Sequence, residues 1–97
     1  MTIWKLNPID LKHRDWEASK FDREIIVRAE SEERARKFLT DRLYRAATKS
    51  SPGDKVRTSP WSQAALVSAV EVKDSSYPET GKEEILDPEE ARCYNDV

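Results

Sequence analysis

Between Glu24 and Val72 the apolar residues change their period twice, and this change limits the possible folds more than any other feature. From Glu24 to Ala29 the period is two: Ile25, Val27 and Ala29 share one face, while Ile26 and Arg28 take the other. That is the pattern of a half-buried strand. Ser31 then has the character of a helix N-cap, because its hydroxyl can accept an orphan amide of the first turn. Glu32 and Glu33 follow where negative charge favours the helix dipole. Ala35, Leu39, Leu43, Ala46 and Ala47 fall on one stripe, so the spacing predicts a helix over residues 32–48. Acid-to-base pairs four residues apart (Glu30/Arg34, Glu32/Arg36, Glu33/Lys37, Asp41/Arg45) add support along its surface. The run Lys49-Ser50-Ser51-Pro52-Gly53 ends the helix. Leu66 to Val72 then returns to strand character, apolar on both faces, which predicts a strand covered more completely than the others.

Upstream, Thr2 to Leu6 alternates, with Trp4 and Leu6 on one side and Ile3 and Lys5 on the other, until Asn7-Pro8 ends the ladder. Residues 9–23 form a charged loop, tethered to the core by Trp16 and Phe21, with room for one helical turn. Ser59-Pro60-Trp61 predicts a short turn with proline at its first position. The element order is therefore β-β-α-β. A right-handed strand-helix-strand crossover makes strands two and three parallel and lets strand one lie between them. The expected fold class is α+β: a three-stranded split β-α-β sheet in order 2-1-3, with order 1-2-3 as the alternative. One main helix packs on one face.

A chain of 97 residues supports one core. The single domain is expected over residues 1–73, followed by an irregular acidic tail over 74–97. Charge divides at the same place. Up to Arg57 there are 14 Lys/Arg against 10 Asp/Glu; from Thr58 onward there are 3 against 9. Within the tail, Asp87-Pro88-Glu89-Glu90 repeats the helix-start grammar, with Glu90 placed to complete a capping box, and predicts a short helix at 88–94. No run approaches the ~20 apolar residues of a membrane-spanning helix. The opening residues read as a strand and not as a signal-peptide core. A single cysteine, Cys93, fits a reducing compartment. The expectation is a cytoplasmic protein.

Catalytic constellations are not evident. His13 is the only histidine, and Asp10 or Asp15 could orient it as a base, but no activated nucleophile accompanies it. A solvated loop is the simpler reading. One His and one Cys eighty residues apart are too few for a zinc site, and the acidic tail lacks the spacing of a calcium loop. Two glycines, Gly53 and Gly81, do not make a phosphate cradle. The expectation is therefore no enzyme activity, no metal and no cofactor.

Two surfaces remain as candidates. The sheet face away from the helix carries Ile3, Ile26 and either Val67/Ala69 or Leu66/Val70. A single helix leaves that face to loops, the tail or another subunit. Trp16 and Trp61 lie in loops, where an aromatic either plugs the end of the core or anchors a partner. Ile3, Ile26, Trp16 and Trp61 are thus the candidate protein-binding residues. The helix's outer face carries Arg34, Phe38, Arg42, Arg45 and Lys49, a cationic stripe with an aromatic that could contact phosphates or stack on a base. Ion pairing along a solvated helix face explains the same residues without a ligand.

Three segments, Trp4-Lys5-Leu6-Asn7-Pro8-Ile9-Asp10, Trp16-Glu17-Ala18-Ser19 and Ile26-Val27-Arg28-Ala29-Glu30-Ser31-Glu32, together with Ala35-Arg36 and Ser59-Pro60-Trp61, carry a resemblance. In them the chain resembles a group of small uncharacterised bacterial proteins over roughly its first three-quarters. The resemblance implies a bacterial cytoplasmic origin, with no activity, cofactor or catalytic residue attached. The functional expectation is a small non-enzymatic protein-interaction module that binds a protein partner or forms a homodimer through its sheet face. Nucleic-acid binding through the basic helix face is the alternative.

Overall fold

The computed structural model describes residues 1–44, 59–73 and 76–96. Strands β1 (Thr2–Pro8), β2 (Ile25–Ala29), β3 (Val67–Glu71) and β4 (Glu84–Asp87) form one sheet. Among the described residues two helices accompany it, α1 (Glu32–Leu43) and the single turn α2 (Glu89–Arg92). The strand order is β3-β1-β2-β4, and every hydrogen-bonded neighbour is antiparallel. The first three strands thus follow the order 2-1-3, with β1 between two strands that run parallel to each other.

Alternation assigns the faces. Leu6, Ile25, Val27, Ala29, Val67 and Ile85 join Ala35, Phe38, Leu39 and Leu43 of α1 in one core. Complete burial of a Leu or Ile side chain contributes about 1.5–3 kcal/mol, and several of these have no exposure at all. Trp4 lies on this face, half-buried, and its Nε1 donates to the Ala29 carbonyl at 3.3 Å. Helix α1 begins as its sequence requires: the Ser31 hydroxyl accepts from the Arg34 amide at 3.2 Å. The Glu32–Arg36 pair closes at 3.0 Å.

The helix ends at Leu43, earlier than its apolar stripe indicates. Tyr44 is extended and bridges to Ser19, and the Lys20 amide donates to the Leu43 carbonyl at 2.8 Å. A tertiary contact satisfies the terminal carbonyl; residues 45–48 of the expected span lie outside the described residues. The 9–23 loop supplies that contact. Its middle, Arg14–Ala18, is a 3₁₀ turn that buries Trp16. Trp16 meets Trp61 edge-on, with ring centroids 5.5 Å apart and planes at 83°. Trp61 Nε1 donates to the Ser19 hydroxyl at 2.8 Å, and Trp16 Nε1 donates to the Asp10 carbonyl at 2.6 Å. The two tryptophans therefore plug one end of the core.

Three expectations are corrected. The sheet has four strands, because residues 84–87, read as part of an irregular tail, pair with β2. Strand β3 is an edge strand whose far end is exposed, although its apolar run suggested the fullest cover. The run overstates the strand because Leu66 belongs to the preceding turn and packs in the core from there. The capping box at Glu90 does not form: Pro88 takes the N-cap position of α2 without a side-chain bond, and Asp87 ends β4. A short helical segment nevertheless occupies the expected region, as α2 followed by a 3₁₀ turn, Cys93–Asp96.

Two substitutions separate the local and tertiary contributions to α1. Ser31→Ala should cost about 1 kcal/mol through loss of the cap, and Leu39→Ala about 2–5 kcal/mol through the cavity it leaves. Urea unfolding of the two variants checks both values.

Candidate interaction surface

The two edges of the sheet are finished differently. At the β4 edge the Asn95 carboxamide acts as a further strand residue. Its Oδ1 accepts from the Ile85 amide at 2.6 Å, and its Nδ2 donates to the Ile85 carbonyl at 3.0 Å. Both outward-facing groups of the central β4 residue are thereby satisfied, which closes the edge to further pairing.

At the β3 edge the phase of the ladder determines which groups face outward. The Ile9 amide donates to the Leu66 carbonyl at one end, and the Val72 amide donates to the Ile3 carbonyl at the other. Ser68 and Val70 therefore direct their backbone groups toward β1, whereas Val67, Ala69 and Glu71 direct theirs away. Val67 is satisfied: its amide donates to the Gln63 carbonyl at 3.0 Å, and its carbonyl accepts from Arg36 Nη2 at 2.9 Å. Among the described residues, the outward amides and carbonyls of Ala69 and Glu71 meet no partner. Val70, between them, is 52% exposed.

Val70 belongs to the sheet face away from α1. Val70, Lys5 and Ile26 are register neighbours across β3, β1 and β2, and Lys5 and Ile26 are half-buried. Farther along this face the cover is complete. Arg28, 5% exposed, donates from Nε to the Pro78 carbonyl at 3.0 Å and from Nη1 to the Lys82 carbonyl at 3.1 Å. The same Nη1 meets the Glu84 carboxylate at 2.9 Å. The N-terminal ammonium donates to the Glu79 carbonyl at 3.0 Å. Residues 76–82 thus form a strap across the face, and beside it Ile3, the register partner of Arg28, has no exposed surface. Gly81 permits the fit: its φ is +131°, and a β-carbon there would lie 2.5 Å from Arg28 Nη1.

The residues expected to form a binding surface are therefore separated. Ile3 lies on the strapped part of the face, and Trp16 and Trp61 are internal, so none of the three is presented to a partner. Ile26 remains at the border of the uncovered patch. Of the basic stripe, Arg34 faces Glu83 at 3.5 Å, and Phe38 is buried in the core. The Arg42 guanidinium lies 4.8 Å from the Phe38 ring centroid and donates to the Asn95 carbonyl at 2.6 Å. A shallow cleft lined by Arg34, Lys37, Phe38, Asp41, Arg42 and Glu83 mixes three basic with two acidic groups. Arg45 and Lys49 lie outside the described residues.

His13 caps the Arg14–Ala18 turn, its Nδ1 accepting from the Asp15 amide at 3.1 Å. The exposed Cys93 thiol donates to the Glu90 carbonyl at 3.3 Å. Among the described residues, no group of three or more His, Cys, Asp or Glu side chains is placed to hold a metal ion. No helix among them is long and apolar enough to cross a membrane.

Sequence reasoning missed the backbone of Ala69 and Glu71 and the two side chains that finish the edges, Arg36 and Asn95. The available signals were an arginine at the end of an i, i+4 pair that also reaches the sheet, and an asparagine close behind a short strand. Neither is specific without the register. No protein-family model matches the chain, and comparisons with curated proteins and with solved structures give no match.

Tyr77 reports on the strap. Burial raises its phenol pKa, and the neighbouring Asp87 charge and a hydrogen bond to that carboxylate raise it further, against a smaller lowering by Arg92. A raised folded-state value means that this stabilisation is fully present below the unfolded phenol pKa of about 10 and is lost as pH rises through the folded value. Alkaline absorbance titration should show a late tyrosine phase, above the ordinary phenol range, and Tyr77→Phe should remove it.

Proposed function

We propose that the protein is a non-enzymatic interaction module that binds protein through the open β3 edge and the Val70–Lys5–Ile26 patch beside it. The observation that carries this reading is the contrast between the edges. Asn95 closes β4, while Ala69 and Glu71 offer two donors and two acceptors beside an exposed valine. Edge-strand addition supplies affinity through main-chain bonds and specificity through alternate side chains. Proteins usually protect such an edge with charge, proline or cover, so an open edge with an apolar residue at its centre is suited to pairing. The basic helix face supports nucleic-acid binding less well, because Arg34 and Arg42 already have partners within the chain and Phe38 stacks under Arg42.

Two substitutions test the module at the edge itself. Ala69→Pro removes an outward amide and leaves the β1–β3 ladder intact, since proline is tolerated where the N–H side of an edge strand faces out. Val70→Lys places a charge at the centre of the edge. In affinity purification from nuclease-treated lysate of the source cells, the wild type should retain protein companions or untagged copies. Both variants should lose them by about tenfold, the effect of roughly 1.4 kcal/mol. Equal recovery by all three proteins would remove the β3 edge from the function.

A further inference from the structure

We infer that the β3 edge pairs with a second copy of this chain, antiparallel about a two-fold axis at Val70, to form one continuous eight-stranded sheet. This rests on the interaction-module reading and specifies its occupant. The register follows from the groups left open. With the axis at Val70, Ala69 of each copy lies opposite Glu71 of the other, and these two pairs exchange four backbone hydrogen bonds. All the outward groups of Ala69 and Glu71 are used.

Neighbouring registers are disfavoured at both ends. Placing Ala69 opposite Ala69 would bring Glu71 against Val67, whose outward carbonyl already holds Arg36 and whose amide already meets Gln63. Placing Glu71 opposite Glu71 would set like charges directly across the ladder, which is destabilising. The Val70 axis avoids both. It also turns Glu71, on the α1 side of the sheet, toward Arg36 of the other copy, because Arg36 is bound at the Val67 end of the same edge. The two-fold generates this ion pair twice. On the opposite face the two Val70 side chains become a close non-hydrogen-bonded pair and cover each other's exposed surface. So short an interface predicts a weak, concentration-dependent dimer.

The register can be tested by cross-linking in a Cys93→Ser background. Val70→Cys places two cysteines across a non-hydrogen-bonded pair, with Cα atoms about 4.5 Å apart, which a disulfide spans. Ser68→Cys places its two copies on the order of 13 Å apart along the antiparallel strands, which a disulfide cannot span. Mild diamide oxidation should convert the Val70→Cys protein to covalent dimer at least about tenfold faster than the Ser68→Cys protein. Equal rates, or no dimer from Val70→Cys, would overturn the register.

Sedimentation equilibrium of the full wild-type chain should show the mass rising toward twice the monomer value with concentration. Ala69→Pro and Glu71→Arg should stay monomeric. A wild type that remains monomeric, or a dimer that Ala69→Pro leaves intact, would overturn self-pairing. The broader module would survive the first result only if lysate companions were still lost with Ala69→Pro.

Discussion

The sheet's outer face depends on a buried guanidinium. Arg28 has almost no exposure, and an unpaired charge in that position would be destabilising by several kcal/mol. Its environment is instead built from two main-chain carbonyls, Pro78 and Lys82, and the Glu84 carboxylate. Pro78 and Lys82 lie in the segment between β3 and β4, and Glu84 is the first residue of β4. Satisfying Arg28 therefore brings that segment back over the sheet and places β4 beside β2. Gly81 is needed because the guanidinium occupies the space a side chain would take. Once β4 is in the sheet, α2 and the following turn bring Asn95 to its outer edge.

This arrangement gives the two edges opposite properties. The C-terminal segment supplies strand β4, its edge cap and the carbonyls that hold Arg28, and its Asn95 carbonyl also accepts from Arg42 on α1. No equivalent structure among the described residues continues past β3. There, Arg36 protects only Val67, and Gln63 completes that single residue. Among the described residues, nothing meets the amides and carbonyls of the next two outward residues. With one edge closed and the other open among the described residues, the sheet has a direction in which it can grow.

Local patterns predicted the elements well where the side chains alone determine them. The alternation at 25–29, the Ser31 cap and the β2-β1-β3 order follow from period, capping chemistry and chain connectivity. Two of the misreadings involve long-range main-chain contacts. The end of α1 at Leu43 depends on the Lys20 amide, some twenty residues away in sequence. The fourth strand was hidden because Glu84-Ile85-Leu86-Asp87 is short, acid-flanked and followed by proline, so its local signal is that of a tail. Trp16 and Trp61 allowed two readings, and their mutual edge-on contact places them inside. The open edge was not legible at all, because backbone availability depends on register, which side-chain identity does not encode.

Native-state hydrogen exchange across β3 is the most direct measurement of the edge. The Ser68 and Val70 amides, bonded to β1, should be protected at every concentration. In dilute protein the outward Ala69 and Glu71 amides should exchange far faster, and they should gain protection together as concentration rises. Equal protection of odd and even amides in dilute protein would mean that the chain already covers its own edge. Outward amides that stay fast at high concentration would mean that the edge is open but does not pair with a second copy.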